Sequence, residues 1–454
     1  MLSPVFAPFV EKSPISVMAR GMLERVLNPA QLDEWFDATA DQQYTRDLLF
    51  STVFDIMSHV VRGNQKSINA ACQATKEDIC VSIKSVYNKI NGITPNTSAA
   101  LVRYASGQVE PIIKKLGGTI KPPLPGRRIK QIDGNCIEKS QHRIKELRDI
   151  AAGPLPGKSL VVYDPVLRLP IDVFPCEDGH AQERSLLKAV LSTIDPGDVW
   201  VGDRNFCTLE FTCGIANQDA AFIIREHGKY PFDLIEKEHY IGKTETGMVY
   251  EQPVSVRENN GKQHVFRRIR VKLKKETRDG DTEISIITCL PKRAASAKKI
   301  AELYRSRWTI ETAFQRLAQY FNSEISTLGY PRAALFGFCV ALVSYIAMSV
   351  VLAAIGSVHG ADVVEKQISG YYLANEIAGI YLGMMIAIDS DHWIVFRQMS
   401  VSELVNVLQD LARRMKLAAY KKHSRGPKKA QPKRKSDKNV PHVSTAKILS
   451  QRKK

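Results

Sequence analysis

The chain has 454 residues, which is long for a single hydrophobic core, so two or three domains are expected. Its formal net charge of +17 is concentrated near the end: residues 413–454 hold 16 Lys and Arg against one acid (16 − 1 = +15), which leaves +2 for the other 412 residues. The eight cysteines contain no C-x-x-C and the ten histidines no H-x-x-x-H, which argues against a disulfide scaffold and a structural zinc motif and favours reduced thiols in a cytosol.

The first 120 residues read as short helices. No basic segment followed by a long apolar run opens the chain, so no signal peptide is expected. Apolar residues at helical spacing predict an amphipathic helix over 44–61. Thr75 and Asp78 resemble a capping box that opens a helix over 76–90, with Gly92 as its stop. Two helices around 73–75 fit a DNA-reading helix-turn-helix, although a plain helical hairpin has the same pattern.

The pattern changes after a Pro/Gly/basic linker at 121–128. Runs of β-forming residues separated by turn residues predict three strands, then a helix, a strand, a helix and a strand. This order indicates a layered α/β core. The predicted strands are 129–136, 159–163, 169–174, 198–202 and 220–225, and the predicted helices are 181–191 and 209–216.

A β-rich stretch follows. Alternating residues predict strands at 248–256, 263–273 and 283–290, and Asp279-Gly280 is a strong hairpin signal. The second of these strands places a row of cations on one side. This row fits a basic ribbon against DNA phosphates, and the wet face of an antiparallel sheet has the same pattern. The row comprises Arg268, Arg270, Lys272 and Lys274.

Residues 297–320 contain no Gly or Pro and predict one helix of more than six turns. A carboxylate shares one stripe of this helix with an aromatic ring and a guanidinium, which favours a functional face. A solvated face with one ion pair, worth about 0.3–0.5 kcal/mol, is the alternative. The stripe comprises Tyr304, Arg307, Glu311, Gln315 and Ala318.

Residues 333–356 carry no charge, and this segment of 24 residues is long enough to span a bilayer. A helix buried on every side of a soluble core has the same hydropathy. We predict the buried helix, packed against the sheet that carries Asp133 and Asp203; a basic membrane-associated protein is the alternative. An amphipathic helix is expected over 402–416, and the Lys/Arg/Pro/Ser-rich chain from 421 onwards is expected to be disordered.

Three acids are candidate metal ligands. Asp133 lies in mid-strand, where a carboxylate is disfavoured, and Asp203 directly follows the fourth strand, where ligands bind in α/β sheets. With Glu311 from the long helix they predict a carboxylate site for Mg²⁺ or Mn²⁺. Two such ions about 3.5–4 Å apart promote phosphoryl transfer. We expect the rival acids to be turn or exposed-face residues: Asp164, Asp172, Asp195 and Asp198.

In their order along the chain, Asp133, Asp203 and Glu311 resemble the catalytic acids of DDE transposases with a ribonuclease-H-like core. The resemblance covers about 125–350. Its DGN, GDRNF and Tyr-Arg-x-Arg-Trp-x-Ile-Glu segments match the bacterial insertion-sequence-4-like group, which is known for a Tyr-x2-Arg-x3-Glu-x6-Lys signature. Tyr304 and Arg307 fit that spacing. The signature lysine is missing, because Ala318 stands at its position and Gln315 one turn after Glu311.

The resemblance implies a ribonuclease-H-like mixed sheet with flanking helices, interrupted by a β-rich insertion and preceded by an all-α DNA-binding region. The implied domains are 1–120 (DNA binding), 126–227 (first part of the catalytic core), 228–290 (insertion), 291–392 (second part of the core), 393–420 (C-terminal helix) and 421–454 (basic tail).

The implied activity is DNA transposition by metal-dependent strand cleavage and strand transfer. The three acids would hold Mg²⁺ or Mn²⁺, expected as two ions. The residues expected to contact DNA are Tyr304, Arg307, Trp308 and Arg316, together with Arg268, Arg270 and Lys272 of the basic strand; core packing is the alternative for Trp308.

The expected partners are the terminal inverted repeats and target DNA, and no membrane. The chain is expected to form a homodimer on paired DNA ends and to be cytoplasmic and nucleoid-associated. Two alternatives remain: a ribonuclease-H-like nuclease without strand transfer, and a catalytically inactive DNA-binding repressor.

Overall fold

The computed structural model describes residues 2–40, 48–75, 81–277, 280–423 and 442–451. Its N-terminal region is helical, as predicted. Side-chain oxygens of Ser67, Ser82 and Thr94 cap three of the helices. The helices are α1 (Ala7–Lys12), α2 (Pro14–Leu27), α3 (Pro29–Thr39), α4 (Phe50–Val61), α5 (Ile68–Ala74), α6 (Ile83–Gly92) and α7 (Pro95–Leu116).

Two predictions for this region need correction. The proposed capping box at Thr75 is wrong, because Thr75 ends α5 and its hydroxyl donates to the carbonyl of Ala71 at 3.0 Å. Ser82 caps α6 instead, and that helix ends at Gly92 as predicted. The other half of the proposed box, Asp78, and the first residues of the helix predicted over 44–61 lie outside the described residues.

The predicted α/β core is present. Its elements are β1 (Ile129–Ile137), β2 (Gly153–Leu155), β3 (Gly157–Asp164), β4 (Leu169–Cys176), α8 (Leu187–Leu191), β5 (Val199–Gly202), α9 (Leu209–Ala216) and β6 (Ala221–Arg225). The strands lie in the order β4-β3-β1-β5-β6. β3 is antiparallel to both neighbours, whereas β1, β5 and β6 are parallel. This mixed sheet with flanking helices has the topology expected of a ribonuclease-H-like core.

The β-rich stretch continues the same sheet and forms no separate layer. It contributes β7 (Asp233–Leu234), β8 (His239–Lys243), β9 (Gly247–Arg257), β10 (Gln263–Leu273) and β11 (Glu283–Thr288). β11 pairs antiparallel with β6, which extends the sheet to ten strands. The extension therefore shares its backbone hydrogen-bond ladder with the strands of the core.

The rest of the described chain is mainly helical: α10 (Ala297–Arg305), α11 (Trp308–Tyr320), α12 (Pro331–His359), α13 (Ala361–Gln367), α14 (Gly370–Ala387), α15 (Ser390–Gln398), α16 (Val401–Arg413), β12 (His442–Ser444) and α17 (Thr445–Ser450). The single helix predicted over 297–320 is wrong, because α10 and α11 are separated at Ser306 and Arg307. The predicted disorder from 421 onwards is wrong for 442–451, where β12 pairs parallel with β2 and leads into α17.

The uncharged segment forms the central helix of the largest core. α12 is long and apolar enough to cross a membrane, as is the bent pair α14 and α15 taken together, and 83% of the most apolar window of α12 is buried. α12 packs mainly against α7 and α16, and it reaches the sheet at β3 and β4. A buried helix is therefore confirmed. The predicted packing against the sheet that carries Asp133 and Asp203 is confirmed as well, through the edge strand β4 and its inner neighbour β3.

Three clusters of buried side chains hold the chain together. One cluster joins the N-terminal helices to α11, α12 and the helices that follow them. A second lies between the sheet and the helices α8 and α9. The third lies on the other face of the sheet, under α10. The N-terminal helices thus share a core with the C-terminal ones, and the division into functional domains stays a prediction.

Candidate active site

β1 carries Asp133 into the middle of the sheet. Residues two apart on a strand share a face, so Asp133 lies on the same side as Gln131. The Asp133 side chain is 20% exposed. Burial raises its pKa to about 7; the nearby Arg307 guanidinium opposes this rise, and the charge of Glu311 adds to it. A cation bound beside this carboxyl would therefore favour its charged form.

Asp203 lies at the carboxyl end of β5, which runs parallel beside β1. Neighbouring parallel strands end on the same edge, so the topology brings the Asp203 loop close to β1. The hydroxyl of Tyr304 donates a hydrogen bond to Oδ1 of Asp203 at 3.3 Å. Tyr304 is buried, which fixes this donor against the end of β5.

The break between α10 and α11 lies against β1. The side-chain amide of Gln131 donates to the Ser306 carbonyl at 2.8 Å. The two break residues keep helical dihedral angles, and Thr309 and Ile310 donate to the Ser306 and Arg307 carbonyls in the tighter i to i+3 pattern. The break therefore joins the two helices without a loop and holds Arg307 beside Asp133.

Arg307 joins two of the three acids. Its guanidinium lies 3.4 Å from Asp133 Oδ2 and 2.8 Å from Glu311 Oε1, and its side chain is 7% exposed. Burial disfavours the charge of Arg307, but the surrounding acids and Tyr304 outweigh burial and raise the pKa of the guanidinium. Arg307 thus joins Asp133 to Glu311, and Tyr304, which holds Asp203, is hydrogen-bonded to Arg307. The three acids lie far apart in the sequence.

The three acids do not form a compact ligand cluster, and the Arg307 guanidinium lies between two of them. Within the described residues, which include all three, their carboxylate oxygens do not all lie within 4.8 Å of one another. Arg307 neutralises Asp133 and Glu311 in this arrangement. A divalent ion that took over this neutralisation would draw the same carboxylates together.

A fourth carboxylate near Asp133 was not predicted from the sequence. Glu183 belongs to a short 3-10 turn, and its charge contributes to the raised pKa of Asp133. A Cβ at Gly134 would lie 2.1 Å from Glu183 Oε1, so glycine at this position permits the close approach. The glycine directly after Asp133 was the available sequence signal, but it does not identify the partner.

The rival acids are neutralised by cations elsewhere. Asp164 accepts from Arg128 and from two backbone amides of its own turn, so it is a turn former as predicted. Asp172 pairs with Arg103, while Asp195 and Asp198 share Lys130. The prediction of turn or exposed-face acids also holds for Asp195, which is exposed, and for Asp198, whose carboxylate accepts from the Asp195 amide of the same turn. It is wrong for Asp172, which is buried within β4.

The predicted DNA contacts divide into two groups. Trp308 is 58% exposed with the Arg307 guanidinium 5.1 Å from its ring centre, so the alternative of core packing is wrong for this residue. The other arginines are engaged in ion pairs: Arg316 with Glu365 at 2.7 Å, Arg268 with Glu226 at 2.5 Å, and Arg270 with Glu238 and Glu283.

The basic strand therefore presents less free positive charge than its sequence indicates. Lys272 lies over the ring of Tyr250 at 4.9 Å.

A basic groove follows the outer side of α11. It consists of two cavities of about 550 and 680 Å³ that share Thr312, Arg316 and Lys366. Seven lysines and arginines line the two cavities against three acids. Without Lys422, the lining gives 6 − 3 = +3 in a body whose first 412 residues carry only +2. Trp308 and Tyr371 present exposed rings at the groove. This combination of cations and aromatic rings is typical of nucleic-acid grooves.

Part of the chain is similar to a known protein family. Residues 157–346, which are less than half of the chain, match the family model described as "Transposase DDE domain". The match includes Asp203 and Glu311 and begins after Asp133. No curated protein matches the chain.

Among solved structures, the chain is similar to a "piggyBac transposase synaptic complex with hairpin DNA". The sequence identity is 9% and the TM-score 0.34, over 90% of this chain and 85% of that chain.

Proposed function

We propose that the chain is a DNA transposase that cleaves the ends of its element and joins them to target DNA. One observation carries the proposal: Asp133, Asp203 and Glu311 converge around Arg307 and Tyr304. Two of the three acids lie inside the segment that matches the transposase DDE domain. The finer assignments are also proposals: membership of the insertion-sequence-4-like group, terminal inverted repeats as substrate, a homodimer on paired ends, and a nucleoid-associated cytoplasmic location.

The donor set fits a divalent metal ion. All three candidate ligands are carboxylates, which are the groups that Mg²⁺ and Mn²⁺ prefer. Burial raises the pKa of Asp133 to about 7, so the site favours a cation that restores the charged form. Asp133, Asp203 and Glu311 would hold the ions. When bound, a metal pair lowers the cost of forming the attacking oxygen and stabilises the leaving one.

The remaining residues of the site position groups. Tyr304 orients Asp203 through its hydroxyl, and Gln131 holds the helix break that places Arg307 and Glu311 beside β1. Once its acids are engaged with cations, Arg307 is available to a DNA phosphate, which it binds through two parallel N–H donors. Trp308 presents its ring beside this guanidinium and would stack on a base or sugar.

The groove along α11 is the proposed path of the DNA next to the acids. Thr312 lines the groove and directly follows Glu311 in the chain. Concentrated positive charge on a nearly neutral body draws a polyanion to this surface. Lys366 and Lys422 line its far end, where Gln315 stands in place of a lysine, and they would contact phosphates there.

The direct experiment uses the wild-type chain and DNA that carries the ends of the encoding element. We expect strand breaks at those ends with Mg²⁺ or Mn²⁺, and DNA binding without cleavage with Ca²⁺. Exposed 3′ hydroxyls should then join to a supercoiled plasmid. DNA binding without cleavage under every metal condition would contradict the proposed transposase.

The same experiment separates the alternatives. Cleavage without joining would identify a nuclease of the same fold. The repressor is favoured by the exposed Gln315 and Ala318, where the signature group has lysines. It predicts end binding that does not change when Asp203 is replaced by alanine, together with no cleavage by the wild-type chain.

A further inference from the structure

A thiol, a carboxylate and an imidazole meet at the tip of the β9–β10 hairpin, outside the proposed active site. Cys213 belongs to α9, Glu258 directly follows β9, and His264 lies near the start of β10. One potential ligand atom from each residue lies within 4.8 Å of the other two. The spacing of these residues along the chain does not reveal the cluster, because only the fold brings Cys213 to the hairpin.

The cluster is enclosed although the hairpin tip around it is exposed. Cys213 is 1% exposed, and the side chains of Glu258 and His264 are 17% and 11% exposed. Asn259, Asn260 and the two residues after them are exposed. Acidic and imidazole side chains that serve only to make a hairpin tip soluble would be exposed to water, since burying such groups costs free energy unless they have partners.

Neighbouring groups hold the candidate ligands in place. The ring of His264 stacks on Phe266, with 5.4 Å between the ring centres, and its Nε2 lies 2.6 Å from Glu258 Oε1. The amide of Asn217 donates to the same carboxylate oxygen at 3.0 Å, and Lys262 in turn donates to Asn217 at 2.6 Å. Such outer partners orient ligands in metal sites.

We propose that Cys213, Glu258 and His264 bind a zinc ion that fastens the β9–β10 hairpin to α9. A thiolate with an imidazole and a carboxylate suits Zn²⁺, whereas Mg²⁺ takes oxygen ligands. Three protein ligands leave one tetrahedral position for water. The role is structural: α9 follows the loop that carries Asp203, so the ion ties the sheet extension to the helix behind that loop.

The required movement is small. Zn–N and Zn–O bonds of about 2.0–2.1 Å place tetrahedral ligands about 3.3 Å apart. His264 Nε2 and Glu258 Oε1, now 2.6 Å apart, have to separate by about 0.7 Å, as expected when an ion replaces a shared proton. Burial raises the pKa of the Cys213 thiol to about 11, so zinc has to displace the thiol proton as well. Zinc binding should therefore release protons and strengthen with rising pH.

Metal content and a spectroscopic probe test this site. The full-length chain is expressed without a metal-binding tag. It is dialysed first against zinc and then against metal-free buffer without chelator, and its zinc content is measured by elemental analysis. A second sample is titrated with Co²⁺. We expect one zinc per chain, thiolate-to-cobalt charge-transfer absorption in the near ultraviolet, and a higher melting temperature with zinc. Cobalt at an all-carboxylate site gives no such band, so the proposed active site does not interfere.

Variants assign the ligands. Cys213→Ser and His264→Gln should both lose the zinc, the charge-transfer band and the zinc-dependent rise in melting temperature. Cys176→Ser and His239→Gln, which lie outside the cluster, should keep all three. If Cys213→Ser does not fold, Glu258→Gln and His264→Gln carry the test through metal content. A metal-free wild-type chain without the cobalt band, or equal zinc content in the ligand and control variants, would overturn the proposal.

Discussion

Arg307 supplies positive charge at the centre of the proposed active site. It lies between Asp133 and Glu311, and together with Tyr304 it connects all three acids. Placing carboxylates together in a buried site is unfavourable unless a cation compensates for their charge. The arrangement is therefore consistent with a site in which an arginine stabilises the free protein and metal ions stabilise the working one.

Metal affinity should depend on pH through Asp133. Because burial raises its pKa to about 7, Asp133 is protonated at lower pH, and a metal ion has to displace that proton. We predict that Mn²⁺ affinity falls about tenfold per pH unit below 7 and levels off above it, since one proton competes. Calorimetric titrations between about pH 5.5 and 8.5 measure this dependence. Asp133→Asn, which has no proton to lose, should remove the step near pH 7; an unchanged step would assign it to another group.

At the scale of elements, regular strands and helices were the most predictable. Runs of β-forming residues between turn residues predicted β1, β3 and β4, and alternating residues predicted β10, all to within a few residues. The break between α10 and α11 was not predictable, since Ser306 and Arg307 are not helix breakers and the break coincides with a contact from Gln131.

The missed features depend on partners that are distant in sequence. β12 exists through its pairing with β2, although its surroundings are rich in polar and charged residues. Glu183 and the Cys213 cluster follow no local motif, and they come together only when the chain folds. The candidate acids could be singled out because Asp133 lies in mid-strand, where a carboxylate is disfavoured, and Asp203 directly follows a strand.

The burial of α12 gives a prediction at this scale. Val343 is 1% exposed in the middle of the helix, so Val343→Asp buries a carboxylate away from solvent, which is unfavourable. We predict that the variant loses its cooperative melting transition or becomes insoluble, whereas Val343→Ala costs about 1–3 kcal/mol of unfolding free energy. Thermal melts of the two variants, compared with Arg332→Ala on the exposed side of the same helix, measure the difference.

The opposite outcome has a clear meaning for α12. Wild-type chain in the membrane pellet, resistant to high salt and carbonate, would show that the helix spans a bilayer. A Val343→Asp variant that melts like the wild type would show that Val343 is not in a packed core.

At the scale of the whole molecule, positive charge is divided between the groove along α11 and the end of the chain. The net charge of +15 over residues 413–454 exceeds that of all preceding residues together. Deleting residues 421–454 would remove +12 of this charge (13 − 1), but it would also remove β12 and α17, which pack near β2. Substitution of single lysines leaves that packing in place.

We predict that replacing Lys428, Lys433 and Lys435 by glutamine weakens non-specific DNA binding. The slope of log affinity against log salt should fall by about 0.9 for each DNA phosphate that the variant no longer neutralises. Preference for the element's ends should survive, since interactions with phosphates carry no base information. Filter binding at several salt concentrations measures both properties. The matched control replaces three exposed lysines of the body, Lys145, Lys188 and Lys229, and should keep the wild-type slope. Equal slopes for the two triple variants would show that the tail does not bind DNA.

The central claim is that Asp133, Asp203 and Glu311 form one metal-dependent DNA-cleaving site. Cleavage of the element's ends in Mg²⁺ by Asp133→Ala, Asp203→Ala and Glu311→Ala, each compared with Asp195→Ala, tests it most directly. Asp195 is a suitable control because it is 77% exposed and pairs with Lys130. Each of the three variants should lose at least about 100-fold in cleavage rate, since metal ligands act as a unit, and should keep its DNA affinity and melting temperature. Asp195→Ala should cleave like the wild type. Wild-type cleavage by any one of the three variants would contradict the account.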